Sequence, residues 1–99
     1  MIIVTGTLHA RPDTLAEVLR LSREHVARSR AEPGCLEHGV AIDVDDPLRL
    51  VFFERWADQA AIGVHLKLPA SREFGKQVAA LVDQPPTLGL FDASELKRG

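Results

Sequence analysis

Glu32-Pro33-Gly34-Cys35-Leu36 interrupts the chain about a third of the way along. Proline disfavours helical geometry in the residue before it and glycine permits a sharp turn, so a helix has to stop here. Upstream, Leu15, Val18, Leu19 and Val26 recur near helical spacing and form one apolar stripe suited to packing on a sheet. Asp13 or Thr14 is expected to cap that helix, Thr14 and Glu17 have the spacing of a capping box, and the helix should end around Ala31. Downstream, Cys35 to Val44 alternates, with Leu36, His38, Val40, Ile42 and Val44 on one face and Glu37, Gly39, Ala41 and Asp43 on the other. Side chains alternate across a strand, so this segment is predicted to be one.

The neighbouring segments extend the pattern in both directions. Ile2 to Ala10 is rich in β-branched residues, stops at Arg11-Pro12 and is predicted as the first strand. Asp45-Asp46-Pro47 has turn chemistry, and Leu48 to Trp56 should return antiparallel to the preceding strand. There Leu50, Phe52, Glu54 and Trp56 share one face and Val51, Phe53 and Arg55 the other. Both faces are largely apolar, which predicts cover on two sides. Asp58 can cap a short helix carrying Ile62, His65 and Leu66 and ending near Pro69. A second helix with Phe74, Val78, Leu81 and Val82 on one stripe is stopped by Gln84-Pro85-Pro86. Thr87 to Phe91 reads as a short last strand, and the charged tail Glu95 to Gly99 is expected to fray. The order is strand, helix, strand, strand, broken helix, strand: an α+β, ferredoxin-like split βαβ arrangement with an antiparallel sheet. Residues 1–99 are expected to form one domain.

Composition narrows the function classes. Twelve basic and 14 acidic residues, interspersed, give a net charge of −2 and no electrostatic footprint for nucleic acid. Arg20, Arg23, Arg28 and Arg30 alternate with Glu17, Glu24 and Glu32 as on a solvated helix face, and His25 among them is expected to be exposed. Cys35 is the only cysteine, so no intrachain disulfide forms, and it is expected to be a small buried hydrophobe. The chain opens directly on strand-like sequence, with no charged leader and no long apolar stretch, so no membrane partner is expected and a cytoplasmic location is the default.

A few residues could carry chemistry. Glu54 and Trp56, two apart on a strand, project to the same face while Arg55 points away, so Glu54 is expected to pair with a histidine or, since a domain this small gains core by dimerising, with a group across the dimer. The same pair would also serve as an ion pair at the end of the sheet, or of a barrel if two sheets close on each other, and a core aromatic. His65 lies beside Ile62 and Leu66, and histidine as a residue type suits a proton acceptor for a phenolic or enolic substrate, or a helix-end hydrogen bond. His38 occupies the inward alternation, as a second acid or base or as a satisfied core residue. His9, beside Thr5 and Thr7, is a weaker candidate. No local spacing of ligands announces a metal site, and no glycine-rich loop follows the first strand, so neither a metal nor a flavin or dinucleotide cofactor is expected.

Taken in order, Glu32-Pro33-Gly34-Cys35-Leu36, Glu54-Arg55-Trp56 and His65 resemble the antibiotic biosynthesis monooxygenase (ABM) family, from about Ile2 to Phe91. The resemblance implies a homodimer in which two sheets meet as an α+β barrel, each copy holding a pocket between sheet and helices. It also implies a cofactor-free monooxygenase that uses dioxygen on a quinol or polyphenol. Catalytic candidates are then His65, Glu54 and His38, the last where relatives more often carry an aromatic residue. Trp56, Phe52, Phe74, Val40 and Leu66 are the candidate walls for a small aromatic or hydrophobic substrate. The haem-degrading branch of the same fold uses an asparagine on the first strand and a histidine late in the second helical region. Thr5-Gly6-Thr7 and Glu73-Phe74-Gly75-Lys76 stand there instead, which disfavours haem oxygenation. Two alternatives remain: an isomerase moving protons beside a carbonyl, and a non-enzymatic module binding a hydrophobic metabolite.

Overall fold

The computed structural model describes residues 1–98; Gly99, the last residue of the predicted tail, lies outside the described residues. Its elements are β1 (Ile2–His9), α1 (Leu15–Arg30), β2 (Cys35–Asp43), β3 (Asp46–Trp56), α2 (Gln59–Lys67), α3 (Pro69–Ala79) and β4 (Thr87–Asp92). The four strands form one antiparallel sheet in the order β2-β3-β1-β4. This is the ferredoxin-like α+β layout, with the second helical region split in two. The split falls at Leu68, held extended by the proline that follows it.

One sheet face is buried by the helices. Leu8 of β1 and Leu50 and Phe52 of β3 pack against Val18, Leu21 and Val26 of α1 and Val78 of α3. A second cluster joins Ile2, Val4 and Trp56 to Ile62 of α2. The opposite sheet face is open in the single chain, where Phe53 and Phe91 are 40% and 54% exposed. The predicted cover of β3 on both sides is therefore present on the helix side only.

Local expectations change at several points: α3 ends before Leu81 and Val82, Cys35 is half-buried, and three further differences bear on the site. Thr14 stands at the N-cap of α1 without capping it. Its hydroxyl accepts from the Arg11 amide and donates 2.7 Å to the Leu81 carbonyl, so it ties α1 to the end of the α3 region. The β2–β3 turn falls at Val44 and Asp45, earlier than Asp45-Asp46-Pro47, because the Asp43 side chain accepts from the Asp45 amide and Asp46 already opens β3. Leu36 leaves the inward alternation because a bulge between Cys35 and Glu37 inserts it as an extra residue. His38, beyond the bulge, stays inward.

Gly34 is the pivot of the α1–β2 connection. Its φ is +83°, in the left-handed region, and a Cβ there would lie 2.5 Å from the Ala61 Cβ. The Pro-Gly turn thus rests directly on α2, and the Gly34 carbonyl accepts the Ala57 amide at 2.8 Å.

Candidate functional site

The sheet register assembles the floor of the site. Glu54 lies opposite Val4 on one side and His38 on the other, so all three project toward the helices. Two positions on, Trp56 is fully buried and its indole N–H donates to Glu54 Oε1 at 2.9 Å. His38 Nε2 is 3.2 Å from the same oxygen, within reach of its charge but poorly aligned, and neither ring nitrogen of this buried imidazole has a hydrogen-bond partner among the described residues. Burial alone would push the Glu54 carboxyl up. His38, the Trp56 indole and His65 outweigh it, and the group is held below the ordinary glutamate range, as a carboxylate.

The helices supply the rest. His65 comes from the last turn of α2 and is 3% exposed, its ring centre 4.6 Å from that of Trp56. Its Nδ1 lies 2.9 Å from Glu32 Oε1, a contact that the Pro33-Gly34 turn makes by folding the end of α1 against α2. An ionised carboxylate only accepts, so Nδ1 carries the hydrogen, and in the neutral form of the ring the lone pair is on Nε2. His25 is buried, 6% exposed, contrary to its expected place on the charged face of α1. Its ring stacks on Phe74 at 4.1 Å and 5°. Burial, reinforced by the neighbouring His38, His65 and Arg28, drives its pKa down to about 3.

A cavity of about 220 Å³ opens over these groups, between the sheet, α2, α3 and the start of β4. Phe52, Leu66, Phe74 and Val78 give it apolar walls, and Glu54, His25 and His65 are its titratable groups. Five of the predicted wall and catalytic residues, Glu54, His65, Phe52, Phe74 and Leu66, therefore meet in one hollow. His38 and Trp56 lie behind Glu54. Val40 faces a separate groove with Leu19 and Val26 of α1.

The chain matches the antibiotic biosynthesis monooxygenase family over residues 1–77. It belongs to that family. A crystal structure of an antibiotic biosynthesis monooxygenase is similar at 33% identity and a TM-score of 0.88, covering 96% of this chain and 100% of the other. A putative member from Deinococcus radiodurans superposes with a TM-score of 0.94 at 26% identity, over 99% of this chain and 97% of that one. An uncharacterised protein of Synechocystis sp. is 30% identical over 95% of this chain; the chain spans 64% of that relative's length. The ABM fold is that of a small-molecule-binding domain, and no helix among the described residues is long and apolar enough to cross a membrane.

Sequence reasoning missed two participants. His25 is on the buried stripe of α1, one turn from Leu21, Ser22 and Ser29, and that 3.6-residue period was available to find it. Glu32 belongs, in the sequence, to the helix-stopping turn, to a charged helix face and to the stretch that carries the family resemblance, with no chemical role of its own. Its contact with His65 spans 33 positions, and no local pattern encodes it.

Proposed function

We propose that this ABM protein is a cofactor-independent monooxygenase of a neutral quinol or polyphenol, working as a homodimer. The observation that carries the reading is the cavity itself: apolar and aromatic walls around the Glu54 carboxylate and the imidazoles of His65 and His25. A flat aromatic ligand fits between Phe52, Phe74 and Leu66. His65 takes the hydroxyl proton at Nε2, Glu32 stabilises the imidazolium, and the Glu54 carboxylate completes the polar floor. The deprotonated ring then supplies electrons to dioxygen. One oxygen atom enters the ring and the other leaves as water, so the quinol ends as a hydroxyquinone without another reductant. A second copy covering Phe53 and Phe91 would close the sheet face that the single chain leaves open.

Isomerisation beside a carbonyl would use the same two groups. For a phosphorylated substrate a basic wall is needed, and Lys67, Arg72 and Lys76 do not line the cavity. Oxygen uptake separates the two reactions. Metal-stripped protein with a panel of quinols in an oxygen electrode should consume oxygen, and His65→Ala should lower turnover by about 10²–10⁴-fold, the usual contribution of a general base. A flat trace, or a variant as fast as the parent, refutes the reading.

A further inference from the structure

His25, His38 and His65 arrive from α1, β2 and α2, and their ring centres form a near-equilateral triangle with sides of 5.4, 5.2 and 5.7 Å. One nitrogen from each can be chosen so that all three lie within 4.8 Å of one another. Three imidazoles on one ion at the usual zinc–nitrogen distance of about 2.0–2.1 Å have ring centres about 5 Å apart and nitrogens about 3.3 Å apart. The rings already have that spacing. The nitrogens, within 4.8 Å of one another, would close to about 3.3 Å if the rings turned to face a common centre.

Two independent features mark the triangle as a binding site. Among the described residues His38 is buried with no aligned hydrogen-bond partner at either ring nitrogen, its one close polar contact being the Glu54 oxygen, and a group paired so incompletely is costly unless something else engages it. His65 has its Nδ1 held by the Glu32 carboxylate, the arrangement that fixes tautomer and ring orientation in metal-ligating histidines and raises their basicity. Glu54 Oε1, 3.2 Å from His38 Nε2, adds an anionic oxygen beside the triangle. The cavity lined by His25, His65 and Glu54 gives a path in from solvent.

We propose that His25, His38 and His65 bind a divalent cation of the zinc, cobalt or nickel class, with Glu54 or a cavity water at its fourth position and Glu32 positioning His65. Imidazole ligands favour these ions over magnesium or calcium, which prefer oxygen. The cation takes the His65 lone pair that the proposed base uses, so loading it switches quinol turnover off. Binding itself stands independently of the oxygenase reading.

The test is a titration of untagged, chelator-treated protein with Co²⁺ followed by visible absorption, and with Zn²⁺ by calorimetry. One ion per chain should bind, with the strong visible bands of four-coordinate cobalt, displaced by zinc. At a hundredfold excess over Kd the Tm should rise by about 10 °C. Glu32→Gln, which keeps all three ligands, should weaken binding by about 10–100-fold. His38→Gln should abolish it, and His9→Gln, outside the site, should not change it. Absence of saturable binding by the parent chain overturns the proposal, whatever the variants do. So does binding retained in His38→Gln or lost in His9→Gln. Oxygen uptake by the metal-free chain is read separately, so failure of either idea leaves the other standing.

Discussion

Strand β1 connects two histidine environments built on opposite terms. At its C-terminal end the His9 ring lies between Asp83 at Nδ1 and Asp46 at Nε2, both at 2.8 Å, and all three side chains reach solvent. Around Val4, near its N-terminal end, Glu54 and His38 are buried and His38 has no aligned partner. Water can replace any contact of the first group, whereas the second has given up its hydration for incomplete pairing. The first arrangement holds β1, β3 and the segment before β4 together. The second leaves a carboxylate and imidazoles available to a ligand, and the aromatic packing around them has to supply the stability that their pairing does not.

That division puts the largest stability effect at Trp56. Truncating this fully buried indole to alanine removes its packing against His65 and Ile62 and the donor to Glu54 Oε1. A loss of about 3–5 kcal/mol is expected from denaturant unfolding. A loss below about 1 kcal/mol would mean that the polar cluster supports itself, and the contrast between the two ends would be false.

Acid should expose the buried cluster next. In chelator-treated protein, the unfolded chain protonates His25 near its ordinary value of 6.5, while the folded chain resists until about 3. The unfolded state therefore binds more protons in that window. His25 stability is complete above about pH 6.5, falls as pH drops, and stops falling near 3. The fall should be on the order of a few kcal/mol, and His25→Phe, which can keep the stack on Phe74, should flatten it. An unchanged acid limb in that variant would remove His25 as its source.

Gly34→Ala tests the turn that orients His65. The substitution places a side chain at φ +83° and against the Ala61 Cβ, with an expected cost of about 1–3 kcal/mol. Displacing the turn moves Glu32 as well, so any shift of the His65 imidazole resonances should accompany the loss. Destabilisation with those resonances unmoved would separate Glu32 from the role given to it.

The two regions also differ in how far the sequence revealed them. Periods of two and 3.6 set the strands and helices, because burial on one side is a local property of each segment; Glu54 and Trp56 were placed on one face for that reason. Contacts between elements were less accessible. His25 was hidden by Arg23 and Glu24, whose charge suggested a solvated face although the helical period put His25 beneath it. Leu36 and His38 looked equivalent until a bulge separated them. Val40 does sit beside Phe52 in the sheet, but on the outer strand β2, where it meets α1 instead of the cavity. Glu32 and His65 depend on a turn seated on α2, a tertiary fact that only the folded chain contains.

His9→Gln should give the smallest effect and one of opposite sign with pH. Hydrogen bonds donated to Asp46 and Asp83 raise the His9 pKa above 6.5, and His9 in turn lowers Asp46. Here the folded state holds its proton more tightly than the unfolded chain. The imidazolium contribution is therefore full below about pH 6.5 and is lost as pH rises through the raised value, while the Asp46 contribution disappears only when acid protonates that carboxylate. The parent and His9→Gln should thus differ in Tm at mildly acid pH and converge at mildly alkaline pH, which is the reverse of the His25 behaviour. Exposed pairs are screened, so added salt should shrink the acid difference. If the gap instead persisted in alkali and high salt, the His9 clamp would be acting through packing, and exposure would no longer explain why the two ends of β1 differ.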